Sequence, residues 1–178
     1  MKSWFPAINI YLLGAVVLVV LASGCKSKND EDLKKQAVIR LHLEVDKDVV
    51  RRSQEVAIVR RHPIMLNMSD DFLLHEGYLE YAKMVETPGG GYAITLQYDK
   101  QGTWTLRNVT AVNIGKHIGV SCQFYPENRW LAAPVIHYAV TNGMFSFIPD
   151  ASREETRKIV DGVNLTIEKR KKESFFNN

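Results

Sequence analysis

The chain has 178 residues, 46% of them hydrophobic and 24% charged, with a formal net charge of +3. With an N-terminal leader set aside, that length supports one core of ordinary size and not two. Acidic and basic residues are interspersed, which excludes the broad basic footprint of a nucleic-acid binder, and the presence of only two cysteines excludes a disulfide-stapled scaffold.

The first 25 residues differ in kind from the rest. Lys2 gives a weakly positive start, residues from Ile10 to Leu21 are apolar or amphipathic, and Leu21-Ala22-Ser23-Gly24-Cys25 leads into a polar run from Lys26 to Asp32. A short apolar stretch before small residues predicts an export signal over 1–24. Small residues followed by cysteine resemble the lipobox of bacterial lipoproteins, although Ala22 stands where leucine is more usual. The resemblance implies lipid attachment at Cys25, palmitate being a typical acyl group, with Cys25 as the mature N-terminus. Two acyl chains would anchor the protein firmly, at about 0.8 kcal/mol per buried CH₂. Two alternatives stay open: an uncleaved span from Trp4 to Ser23, interrupted by Pro6 and Asn9, and an unmodified Cys25. Lys26 follows the cysteine where aspartate favours inner-membrane retention, which points to the outer membrane. Cys122 is then left without an intramolecular partner and reads as an inert thiol in a buried strand.

Residues 25–36 read as a polar tether, 37–170 as a single domain and 171–178 as a loose tail. Strict alternation over Ile39 to Val45 predicts a strand with Ile39, Leu41, Leu43 and Val45 inward and Arg40, His42 and Glu44 outward. A second extended stretch covers Glu55 to Met68, with Val56, Ile58, Ile64 and Leu66 inward, and Pro63 marks a bulge, break or edge in it. Tyr78 to Glu86 and Tyr92 to Tyr98 form a hairpin about Thr87-Pro88-Gly89-Gly90-Gly91. Those glycines lack the pattern of a phosphate loop. A helix is expected from Thr103 to Asn113, with Leu106, Val109 and Val112 on its buried face and Gly115 ending it. Strands follow over His117 to Phe124 and Trp130 to Val140, separated by a turn at Pro126-Glu127-Asn128-Arg129. Asn142-Gly143 makes a tight turn before a strand over Met144 to Ile148. Ser152-Arg153-Glu154-Glu155 has capping-box spacing. It opens a helix whose apolar face carries Ile159, Val160, Val163 and Ile167, with Lys169 to Lys172 in its last turn. The fold class expected is α+β: a mainly antiparallel sheet with two amphipathic helices packed on one face.

From Pro63 to Lys169 the order of elements resembles the head subdomain of the periplasmic region of SecD and SecDF, subunits of the protein-export translocase. The likeness rests on Tyr98-Asp99-Lys100-Gln101-Gly102, on Thr110, Asn113, Gly115 and Lys116, on Ala133-Pro134-Val135-Ile136, on Gly143, and on the closing helix after Pro149-Asp150-Ala151. It implies a head that contacts emerging polypeptide. The sequence departs from that family at Phe124 to Arg129, where an Asp–Gly turn is usual, and in lacking the family's six-helix membrane region, so the resemblance does not extend to a proton-driven motor.

No catalytic constellation is apparent. His42, His62, His75, His117 and His137 do not fall at metal-ligand spacing, no serine sits in a nucleophile elbow, and Asp70-Asp71 reads as a loop pair. The expectation is no enzyme, no cofactor, no metal and no nucleic-acid partner. Trp104, Tyr125, Trp130 and Tyr138 are candidates to line a peptide groove, with core packing the default for each. The expected function is that of a membrane-anchored envelope lipoprotein that binds protein or extended peptide, accessory to protein export or envelope assembly. Binding would proceed by strand addition along the strand broken by Pro63 or along Trp130–Ile136. The alternative is a structural spacer lipoprotein that binds no peptide.

Overall fold

A computed structural model describes residues 34–48, 52–58 and 62–176. The export signal, Cys25 and all but the last residues of the tether lie outside them. Among the described residues eight strands and two α-helices are assigned: β1 (Ala37–Glu44), β2 (Ser53–Ile58), β3 (Ile64–Leu74), β4 (Leu79–Glu86), β5 (Tyr92–Tyr98), α1 (Lys100–Val112), β6 (Ile118–Phe124), β7 (Glu127–Ala132), β8 (Met144–Phe147) and α2 (Arg153–Phe176). Every strand pairing is antiparallel. The fold is therefore α+β, antiparallel, with two helices, but its strands form two sheets: β2-β3-β1-β6-β7 and β4-β5-β8.

One core joins the two sheets. Ile39, Leu41 and Val120 of the larger sheet, Ile94 and Leu96 of the smaller, and Leu106 of α1 are fully buried in it. Helix α2 adds Ile159, Val160, Val163 and Ile167, the face its periodicity predicts. Truncating Ile159 to alanine would cost about 3 kcal/mol, because the surrounding packing cannot collapse fully into the space. The capping box forms: Ser152 Oγ accepts from the Glu155 N–H at 3.2 Å, and Glu155 accepts from the Ser152 N–H at 3.3 Å. The helix runs on to Phe176, so 171–176 is not a loose tail, and Lys169 to Lys172 lie before its last turn.

Helix α1 begins three residues earlier than its apolar pattern suggests. Asp99 caps it by accepting from the Gly102 N–H at 2.8 Å. Gly102 is required for close approach: a Cβ there would lie 2.9 Å from Tyr78 Cβ and 3.0 Å from Tyr98 Cβ. The buried stripe is Gly102, Leu106 and Thr110, whereas Val112 is 81% exposed. Thr110 is tolerated inside because its hydroxyl donates to the Leu106 carbonyl at 2.7 Å and accepts from the Val140 N–H at 2.9 Å. Gly115 leaves the helix at φ +89°, a conformation that strongly favours glycine.

The larger sheet coils until its edge strands β2 and β7 come close. This encloses a second apolar cluster of Val56, Ile58 and Met68, with Leu66, Trp130 and Ala133 against it. The coiling corrects the outward placement of His42, which is only 6% exposed. Its ring lies edge-on to Trp130 at 4.8 Å and to Phe72 at 5.8 Å. Residues Glu55 to Met68 form two paired strands, not one, with Pro63 just before β3; Ile64, paired with Ile58 at the last rung before the connection between them, is 50% exposed. The turn between β6 and β7 is Tyr125-Pro126, so Glu127, Asn128 and Arg129 belong to a strand and not to a turn. Residues 133–143 form an arch with one isolated bridge, His117 to Val135, in place of a continuous strand.

Two local arrangements make opposite predictions for stability. The Tyr98 hydroxyl is buried without a hydrogen-bond partner among the described residues, and burial pushes its ionisation well above the ordinary tyrosine value. Tyr98→Phe should therefore raise stability by about 1 kcal/mol in a denaturant titration, since it removes an unsatisfied polar atom. Glu44 accepts from the His117 N–H at 2.8 Å and from His117 Nδ1 at 2.7 Å. Burial raises its pKa, but the two hydrogen bonds from His117 outweigh that and hold the carboxyl below its usual value of 4.5. A depressed carboxylate contributes stability that is complete above its unfolded pKa and is lost as pH falls through the folded one. Glu44→Gln should thus destabilise the protein by about 1 to 2 kcal/mol near neutral pH, and the gap should close as acidification takes the pH below the lowered carboxyl pKa.

Candidate protein-binding groove

The four sheet edges differ in how they are finished. In β4 the N–H and C=O of Ala82 point away from β5, and the side chain of Asn164 on α2 meets both. Asn164 Oδ1 accepts from the Ala82 N–H and Nδ2 donates to the Ala82 carbonyl, each at 2.9 Å. One carboxamide thus reproduces the two-bond exchange of a neighbouring strand. Further along, Arg170 donates to the carbonyls of Glu76 and Leu79. This edge is sealed by α2.

At the other side of that sheet β8 is open. Tyr98 N–H donates to the Gly143 carbonyl, and Leu96 pairs with Phe145, so Gly143, Phe145 and Phe147 face β5. Met144 and Ser146 then face outward. The Met144 N–H is taken by Asn142 Oδ1 at 3.0 Å, while the N–H and C=O of Ser146 have no backbone partner among the described residues. Gly143 makes the turn into β8 at φ +71°.

The open edge borders a groove of about 720 Å³ between β8 and the 133–143 arch. Ile118, Val135, Ile136, Tyr138, Met144 and Phe145 are among its lining residues, and no Lys, Arg, Asp or Glu lines it. Tyr138 is 73% exposed, against the core-packing default. The arch is held from behind: Ile136 N–H donates to the Lys116 carbonyl, and Gly115 N–H to the Ile136 carbonyl, both at 2.8 Å. Pro134, Val135 and Ile136, the end of the Trp130–Ile136 segment read from sequence as an edge, therefore form one wall of the groove. The other sequence-read edge, β2, approaches β7 and is partly closed by it.

The remaining sequence candidates scatter. Trp104 and Tyr125 are exposed away from the groove lining, and Trp130 packs in the second cluster. Among the described residues no group of three or more His, Cys, Asp or Glu comes together in the manner of a metal site. Cys122 is buried, and its thiol is pushed up to about 12 by desolvation, which keeps it protonated and unreactive. Arg129, which the sequence offered only as a turn residue, bridges strand and helix. Its guanidinium donates to the Asp150 carbonyl at 2.8 Å and to Glu155. Among the described residues no helix is long and apolar enough to cross a membrane.

No protein-family model matches the chain, and no curated protein matches it. Solved structures do. A SecDF structure, described as that of a membrane component that enhances protein export, superposes with a TM-score of 0.55 at 21% identity, covering 80% of this chain and 70% of that one. SecDF in a form called super-membrane-facing gives a TM-score of 0.55 at 20% identity, covering 78% of this chain and 21% of that one. The domain accordingly has a SecD-like fold. The likeness spans more of the chain than residues 63–169 account for, so β1 and β2 take part in it.

Proposed function

We propose that this protein is a lipid-anchored envelope protein whose SecD-like domain captures extended, unfolded polypeptide at the open edge of β8. The observation that carries this reading is the pairing of an unpartnered strand edge with an apolar, uncharged groove beside it. An added strand would exchange backbone hydrogen bonds with Ser146, and its alternate side chains would enter the groove. The sealing of β4 by Asn164 supports a single direction of addition. The lipobox-like sequence at Cys25 supports the anchor, and the fold shared with SecDF, a component that enhances protein export, supports a role beside export or envelope assembly.

Hydrogen exchange on the full chain in detergent tests the capture step. Adding an unstructured, Val- and Phe-rich peptide should slow exchange at the Ser146 amide and leave the Ala82 amide unchanged. No change at Ser146 under saturating peptide would count against capture and favour a spacer that binds nothing peptide-like.

A further inference from the structure

We infer that the concave face of the coiled five-stranded sheet is a second binding site, separate from the groove, for a neutral, hydroxyl-rich ligand of the saccharide class. Coiling turns what would be a flat solvated face into a basin of about 380 Å³, within the range of small-molecule sites. One end is closed by the apolar cluster around Trp130 and the other is open. Gly119 lets Trp130 and Met68 pack closely at the closed end, because a Cβ there would lie 2.8 Å from the Trp130 ring and 2.9 Å from the Met68 sulfur.

The floor is fixed. Buried His42 engages the Ser69 carbonyl through Nδ1 at 2.9 Å and the Ser121 hydroxyl through Nε2 at 3.0 Å, tying β1 to both neighbours. Arg40 is held in place by an ion pair with Glu76 at 3.5 Å and by the Phe72 ring, over which it lies at 4.9 Å. What remains for a ligand is a specific set. The carboxamides of Gln54, Gln123 and Asn128 and the carboxylate of Asp70 line the basin, and their side chains have no hydrogen-bond partner among the described residues. Gln123 and Asn128 are directly paired across β6 and β7, so two amides stand side by side. Trp130 and Phe72 supply aromatic surface among them.

Chemistry selects the ligand. A carboxamide both donates and accepts, as a sugar hydroxyl does, while an aromatic surface accepts the sugar's C–H face. The two cations in the lining are each balanced by carboxylates, Arg40 by Glu76 and Arg129 by Glu127, Asp150 and Glu155, and with Asp70 added the basin offers an anionic ligand no net positive charge. An extended apolar peptide would leave the amides unmatched and belongs in the β8 groove instead.

The test uses the full chain in a detergent without a sugar headgroup, titrated separately with maltose, cellobiose and N,N′-diacetylchitobiose and followed by amide NMR shifts. At least one should bind saturably, with shifts confined to β1, β2, β3, β6 and β7. The double substitution Gln123→Ala, Asn128→Ala should weaken it at least about tenfold without changing the melting temperature. Both side chains are exposed, so the fold should tolerate their loss. Four results would overturn the inference: no saturable shift with any of the three at about 10 mM, shifts outside those strands, an unchanged affinity in the double variant, or tighter binding of glucuronate than of the neutral sugars.

Discussion

Ser146→Pro should abolish polypeptide capture while leaving the fold in place. The Ser146 N–H faces away from β5, so proline removes a donor that the β5 ladder does not use, and edge strands are where proline is tolerated. An incoming strand, by contrast, loses that donor and meets the pyrrolidine ring in its path. Binding of the extended peptide should weaken at least about tenfold. Ser146 Oγ also lies 2.8 Å from Thr95 Oγ1, so Ser146→Ala is the matched control: it deletes that contact and keeps the N–H. Fluorescence anisotropy with a labelled peptide reads both variants. Equal loss in the two would move the effect from the backbone edge to the hydroxyl and contradict strand addition.

Cys25→Ala should eliminate acylation altogether. In cells supplied with labelled palmitate, the wild-type protein should carry label and the variant none, and intact mass should place the wild-type N-terminus at Cys25 with acyl chains attached. Fractionation alone is a poorer reading, because an uncleaved leader would itself hold the variant at the membrane through the apolar run from Ile10 to Leu21. The thiols give an independent check. With the Cys25 sulfur acylated and Cys122 buried, the native mature protein should react with no equivalents of a maleimide, and with one after denaturation. Unlabelled wild-type protein with Met1 intact would refute the anchor.

Much of this fold was legible because its physics is local. The capping box at Ser152, the apolar face of α2, the β4–β5 hairpin about its three glycines and the positive-φ exit at Gly115 each depend on residues within a few positions of one another. What escaped depends on partners far along the chain. Thr110 belongs to a buried stripe, and the acceptor half of its hydroxyl is satisfied by the Val140 N–H, thirty residues on. Hydropathy gave its place to Val112, which is exposed. His42 occupies an outward position in a strictly alternating strand, and alternation carries no information about sheet coiling, which buries that face. Asn164 looks like one polar residue on an amphipathic helix; its role as a surrogate strand is visible only beside Ala82, eighty-two residues away. The groove was half legible. Trp130 to Ile136 stood out as an edge and Met144 to Ile148 as a short strand after the Asn142-Gly143 turn, but nothing within the four residues of β8 marks it as the open edge and partner wall.

The capture claim is tested most directly by photo-crosslinking in living cells, with the reactive side chain placed at Tyr138 in the groove or at Glu80 on the sealed β4 edge. Capture at β8 predicts adducts with newly exported, unfolded polypeptides from position 138 and none from position 80. Adducts of equal yield at both positions, or none at either, would contradict it.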